Sequence, residues 1–270
     1  METFEVTFLG TNGSCAYNNG GRAKYGTNTM CIAVKAGGEV FIFDAGSGIV
    51  GLSGLADYSN PHMNLLFSHY HADHIEGMLF CKELFDPQKS FTFYGFKTDD
   101  MDIRKVLCDY LSPPTSPAGF DDFMASIEFK TISGGDIIEF PGGAKISALS
   151  VSHPGGALGY RVEYDNKVFC CCCDVELGRH TGDKKLAEFL KGADLLVLDS
   201  FFNDGEITPG WGHSSWQESA TLAKTSGARQ LALIHHSSHI SDEEIDEIKE
   251  KARSVFPNTI AAADRMRVTL

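Results

Sequence analysis

The stretch Ser68-His69-Tyr70-His71-Ala72-Asp73-His74 holds three histidines and one aspartate within a few positions. It follows the apolar run Asn64-Leu65-Leu66-Phe67, which reads as a buried strand. Side chains alternate along a strand, so an extended exit sends His69 and His71 to the same side. Asp73 and His74 would follow on the opening turn of a helix over 75–80. Such a loop can offer an imidazole pair to one metal ion and a carboxylate–imidazole pair to another. Further residues of metal-ligand type close other apolar runs: Asp44 after Glu39-Val-Phe-Ile-Phe, His153 after Lys145-Ile-Ser-Ala-Leu-Ser-Val-Ser, Asp174 after Val168-Phe-Cys-Cys-Cys-Cys, and His235 after Leu231-Ala-Leu-Ile. Each falls at the carboxyl end of a predicted strand, the edge at which open α/β sheets carry ligands.

The elements that must position these residues alternate between strand and helix patterns, which argues for an α/β fold. Strand patterns recur at Phe4-Glu-Val-Thr-Phe-Leu, Thr29-Met-Cys-Ile-Ala-Val, Val40-Phe-Ile-Phe and Phe91-Thr-Phe-Tyr. The run from Gly159 to Phe169 reads as a hairpin turning at Asp165-Asn166, residue types that tolerate the positive φ of such a turn. Capping boxes announce two helices. Ser215-Trp-Gln-Glu218 opens one, with Trp216, Ala220 and Ala223 on one face and Gly227 as its stop. Ser241-Asp-Glu-Glu244 opens the last, with Ile245, Ile248, Ala252 and Val255 as its buried stripe. The stiff segment Leu111-Ser-Pro-Pro-Thr-Ser-Pro-Ala-Gly119 reads as an insertion loop: a lid, an oligomer contact or neither. His62, His180 and His239 read as ordinary turn or loop histidines, and so does whichever of the adjacent His235 and His236 is not a ligand.

At 270 residues, 43% hydrophobic and 22% charged, the chain suits one globular domain spanning 1–270. The start, Met1-Glu-Thr-Phe-Glu-Val, runs straight into a strand pattern, and no apolar stretch has the length of a membrane span. A cytoplasmic location away from membranes is therefore expected. Cys170 to Cys173 are consecutive, and neighbours on a strand face opposite ways, so they cannot share one tetrahedral ion. They read as small apolar strand residues in a reducing compartment. The net charge of −13, with no Lys or Arg run, predicts a small-molecule partner rather than a long nucleic acid.

The His69-x-His71-x-Asp73-His74 pattern, with Asp44, His153, Asp174 and His235 following in order, resembles the signature of the metallo-β-lactamase superfamily over essentially the whole chain. That resemblance implies an αβ/βα sandwich of two mixed β-sheets flanked by helices. It also implies two divalent metal ions, zinc or manganese. One would be held by His69, His71 and His153, the other by Asp73, His74 and His235, with Asp174 bridging and Asp44 fixing a ligand histidine from behind. A shared water deprotonated by the ions would be the nucleophile. Gly210-Trp-Gly-His213-Ser-Ser-Trp resembles a motif of the phosphodiesterase and ribonuclease Z branch. In that branch His213 either protonates a leaving oxygen or stabilises a phosphorane, and Asp199 orients it. The catalytic set implied is Asp73, His213 and Asp199, the reaction hydrolysis of a small phosphodiester or cyclic nucleotide. Phe201, Phe202 and Tyr70 depart from the branch and suggest an apolar pocket. They keep a second reading open, a di-iron protein binding a diatomic gas, dioxygen or nitric oxide. A homodimer is compatible with either.

Overall fold

The computed structural model describes residues 3–270 apart from 19, 56, 57, 59, 99, 100, 179–182 and 204. The first half of the chain supplies β1 (Glu5–Gly10), β2 (Cys31–Ala36), β3 (Glu39–Phe43), β4 (His62–Leu66), β5 (Ser90–Gly95) and β6 (Ser126–Thr131). The second half supplies β7 (Ile137–Glu139), β8 (Lys145–Val151), β9 (Ala157–Tyr164), β10 (Lys167–Cys172), β11 (Leu195–Asp199), β12 (Leu231–Ile234), β13 (Thr259–Ala261) and β14 (Arg267–Thr269). The helices are α1 (Ile103–Tyr110), α2 (Asp183–Phe189), α3 (Trp216–Ser226) and α4 (Asp242–Val255).

Among the described residues these strands form two seven-stranded sheets, ordered β14-β1-β2-β3-β4-β5-β6 and β13-β12-β11-β10-β9-β8-β7. Both are mixed. In the first, β3 to β6 run parallel while β1, β2 and β14 pair antiparallel. In the second, β10 to β13 run parallel while β7 to β10 pair antiparallel. The sheets pack face to face over a core containing Phe8, Phe41, Phe43, Tyr160 and Phe169, all buried. On the outer face of the first sheet, α1 and the 3₁₀ turns pack over Leu65, Phe67, Phe91 and Phe93. On the outer face of the second, α3 and α4 bury Trp216, Ala220, Ala223, Ile248 and Ala252. The expected αβ/βα sandwich is present.

This pairing brings the site residues to one edge. Parallel neighbours share a direction, so β3 and β4 deliver Asp44 and the Ser68 loop side by side. In the same way β10, β11 and β12 deliver Asp174, Asp199 and His235.

Local structure follows the sequence closely. Asp165 and Asn166 take φ values of 49° and 59° at the β9–β10 turn. Both capping boxes form, and Gly227 ends α3 in the left-handed region, at φ 66°. Cys171 and Cys173 face the inter-sheet core, Cys170 and Cys172 the helix layer, and all four are buried free thiols. One element differs. The helix expected over 75–80 is a pair of 3₁₀ turns, Ala72–His74 and Glu76–Phe80. Its backbone is claimed by the loop that follows β3: Ala45 N–H donates to His74 O at 2.7 Å, and Gly77 N–H donates to Ala45 O at 2.9 Å. Those bonds replace an α-helical ladder. The 111–119 segment joins α1 to a 3₁₀ turn at Phe120–Asp122, with Leu111 and Ser116 buried.

Candidate metal centre

Asp44 follows β3 with its backbone at φ 62°, a region that L-residues other than Gly adopt rarely and mostly as Asn or Asp. This turns its carboxylate back under the histidine loop. Ser68 N–H donates to Oδ1 at 2.6 Å, and Ser68 Oγ donates to Oδ2 at 2.7 Å. His74 Nδ1 lies 2.9 Å from the same Oδ2, and a carboxylate partner there fixes Nδ1 as the protonated nitrogen. His69 Nδ1 lies 3.0 Å from Ser68 Oγ, and since that hydroxyl has given its proton to Asp44, the ring N–H is the donor. His153 Nδ1 donates to Gly212 O at 2.9 Å. In these three rings Nδ1 is committed as a donor, which leaves each Nε2 lone pair facing inward.

What they face is Asp174, fully buried at the end of the β10 run. Its Oδ2 is 3.8 Å from His69 Nε2 and 3.9 Å from His153 Nε2, while its Oδ1 is 3.3 Å from His74 Nε2 and 3.4 Å from His235 Nε2. The two oxygens thus serve two different histidine groups. His71 closes the first, its Nδ1 3.1 Å from His153 Nε2. Asp73 closes the second, its Oδ2 3.3 Å from His235 Nε2 and 3.6 Å from His74 Nε2. The ligand-type atoms of His69, His71 and His153 gather in one group, and those of Asp73, His74 and His235 in another. His235, like Asp44, carries a left-handed backbone, φ 59°, and this turns its ring into the cluster. His71 alone among these residues is exposed, so the cluster opens to solvent on its side.

The polar inventory fits a cation here. His69 Nε2, His74 Nε2 and Asp174 Oδ1 are buried without a hydrogen-bond partner; His74 Nε2 and Asp174 Oδ1 are close but not aligned to bond. Buried polar atoms are rarely left so. The electrostatics agree. Burial would lower His74 and His235, but the carboxylates around them win: Asp174, Asp44 and Asp73 hold His74 well above its ordinary value, and Asp174, Asp73 and Asp199 bring His235 up to about 9. Burial would raise Asp174 and Asp73, yet the surrounding imidazoles hold both below the usual carboxylate range. On the other side burial dominates, holding His69 and His71 below the ordinary value and His153 down at about 4. Three imidazoles kept neutral by burial, and two more whose ring protons a cation would displace from among ionised carboxylates, are a donor set that a divalent transition metal takes.

Beside this cluster sits His213, its Nδ1 2.8 Å from Asp199 Oδ2 and 3.7 Å from Asp174 Oδ2. Asp199 is fully buried, which pushes its pKa upward against the pull of His213, and Phe201 N–H donates to its Oδ1 at 2.7 Å. The Phe201 ring stacks on His213 at 4.6 Å between centroids. Gly212, at φ 82°, packs so tightly that a Cβ there would lie 2.2 Å from His153 Nδ1.

Several participants carried no sequence signal. Ser68 ties three site residues together but reads as an ordinary turn serine. Ser14 N–H donates to Asp73 Oδ2 at 2.9 Å from a loop far away in sequence. Glu176, buried, accepts from Gly210 N–H at 2.9 Å and Gly212 N–H at 3.2 Å, pinning the loop that bears His213. Among the residues read as bland, His62 meets Ser90 Oγ at 2.9 Å, and His239 is exposed in the turn before α4. His180 lies outside the described residues. Buried His236 turns away to Ala262 O at 3.0 Å, its pKa pushed down to about 3 by burial. Of the three aromatic residues expected to line an apolar pocket, Tyr70 alone faces elsewhere. Tyr70 donates to Phe96 O at 2.6 Å with its ring against Phe67 and Phe96, and Phe202 is buried. Phe202 meets the site, its ring edge-on to His213 with centroids 6.2 Å apart, and Phe201 stacks on the same imidazole.

The family described as the beta-lactamase superfamily domain matches residues 40–236, the span from β3 through His236. The chain belongs to this superfamily. Ribonuclease Z of Archaeoglobus fulgidus is 24% identical over 97% of this chain and 96% of its own length. Among solved structures, the metallo-β-lactamase fold protein YhfI of Bacillus subtilis superposes with a TM-score of 0.75 at 19% identity, covering all of both chains. Zinc-bound PqqB of Methylobacterium extorquens superposes at 0.73 with 17% identity, over 98% of this chain and 100% of its own. These relatives correct one expectation. The net charge argued against a long nucleic acid as partner, yet a ribonuclease matches nearly end to end. Net charge sums the whole surface, whereas a phosphate senses charges within a Debye length of about 8 Å. No helix among the described residues is long and apolar enough to cross a membrane.

Proposed function

We propose that this chain is a metal-dependent phosphodiesterase acting on RNA or nucleotide phosphodiesters with two divalent cations. The observation that carries this reading is the division of Asp174: each carboxylate oxygen faces its own histidine group, with the His213–Asp199 pair alongside. His69, His71 and His153 would hold one cation, Asp73, His74 and His235 the other, with Asp174 shared between them. Histidine and carboxylate donors suit zinc or manganese. When bound, such cations supply Lewis acidity toward a phosphoryl oxygen and a nucleophile at neutral pH.

The chain's own residues do the rest. Asp44 and Ser68 fix the ring orientations of His74 and His69, so the donors are set before anything binds. Asp199 holds His213 by Nδ1, leaving Nε2 free to give a proton to the leaving oxygen as the P–O bond breaks. Burial of Asp199 and the stacked Phe201 ring keep that histidine in place. The ribonuclease Z relative supports an RNA phosphodiester as substrate. The test is cleavage of bis(p-nitrophenyl) phosphate and of an RNA oligonucleotide by protein loaded with zinc or manganese. Hydrolysis of both is expected; failure on both with every divalent metal tried would overturn the reading.

A further inference from the structure

We infer that Trp211 is a stacking platform for the nucleobase next to the scissile phosphate, a subsite that rests on the phosphodiesterase reading above. Its side chain is 59% exposed, among the most exposed of the large apolar residues described. Exposed tryptophan is costly to leave in water, and a large aromatic held open beside a reactive site points to a flat ligand.

The loop holding it is anchored on both sides of the indole. Gly210 N–H and Gly212 N–H both donate to the buried carboxylate of Glu176, at 2.9 and 3.2 Å. The carbonyl of Gly212 accepts from His153 Nδ1 at 2.9 Å, and Trp211 N–H donates to Thr208 O at 3.3 Å. One residue beyond Gly212 comes His213. The backbone of Trp211 therefore lies one residue from the carbonyl that holds His153 and two residues from His213 itself. Because the backbone that carries the indole is already tied down, stacking of a base costs little further ordering of the loop. Every base has a π-face, so this contact favours nucleotides over plain phosphodiesters without reading sequence.

Only two tryptophans occur in the chain, and the other, Trp216, is buried in α3, so fluorescence can report on Trp211 directly. Uridine 5′-monophosphate should quench the emission of the metal-loaded Trp216→Phe protein, in which Trp211 is the sole tryptophan, while ribose 5-phosphate should not. In parallel, kcat/KM is compared for thymidine 5′-(p-nitrophenyl phosphate) and methyl p-nitrophenyl phosphate. Trp211→Ala should lower the preference for the nucleoside diester by roughly five- to a hundredfold, the range of one base–aromatic stack, and Trp211→Phe should retain most of it. An unchanged preference in Trp211→Ala, or equal quenching by the two phosphates, would overturn the inference. Quenching by the nucleotide from a protein that hydrolyses neither diester would sink the proposed function while supporting the subsite.

Discussion

Asp44 Oδ2 lies 2.9 Å from His74 Nδ1, and the residue making that contact carries a left-handed backbone at φ 62°. Strain of this kind persists only where the surroundings over-determine it. Here two bonds from Ser68 and one from His74 do so, and the result is a ring whose Nε2 faces Asp174. Asp44→Asn keeps the shape and tolerates the backbone but removes the charge. It should weaken metal affinity by roughly 10–100-fold, as measured by competition with a chromogenic chelator. Affinity equal to wild type would show that His74 is oriented by packing alone.

Asp174 faces both histidine groups, so its loss should be felt by both. Asp174→Ala is expected to lower metal content at both positions, from two ions per chain toward none, by elemental analysis. A variant that keeps one full equivalent would show that the carboxylate serves only one group.

His213 and His69 should separate cleanly. His213→Ala is expected to retain metal and lose about 10²–10⁴-fold in phosphodiester kcat, the range for a general acid or transition-state donor. His69→Ala should lose metal. Asp199→Asn should slow turnover far more than it changes metal content, because its direct hydrogen bond is to His213 and it acts on His235 through its charge alone.

Removing the metal should expose the charge balance of the site to pH. In the metal-free protein His235 is brought from near 6.5 up to about 9 by Asp174, Asp73 and Asp199. A raised folded value means the stabilisation is complete below the unfolded pKa and is lost as pH climbs through the folded one. The Tm of chelator-treated protein should therefore fall between pH 6.5 and 9.5, and metal-loaded protein should fall less over that window. A metal-free Tm that rises across it would contradict the assignment.

A control lies far from the centre. Ser241 accepts from Glu244 N–H at 3.3 Å, and the Glu244 carboxylate accepts from Ser241 N–H at 2.7 Å. Ser241→Ala should cost about 1 kcal/mol in urea unfolding and leave metal content unchanged.

The sequence by itself determined the kinds of residue at the site and the strand ends that carry them. It also determined both capped helices and the Asp165-Asn166 turn. These are local matters: alternation, capping and turn chemistry act over a few residues, so their signals are written in adjacent positions. It did not determine that 75–80 would be 3₁₀ rather than α-helical, because Ala45 takes the His74 carbonyl and the Gly77 N–H. Nor did it show that Tyr70 turns away from the site, or that Ser68, Ser14 and Glu176 join it. Only the tertiary structure decided which oxygen of Asp174 meets which histidine and how closely His213 approaches Asp199, a pairing the family resemblance had implied. Those distances depend on parallel pairing within each sheet and on how the two sheets pack, sums of many weak contacts that no short stretch of sequence contains.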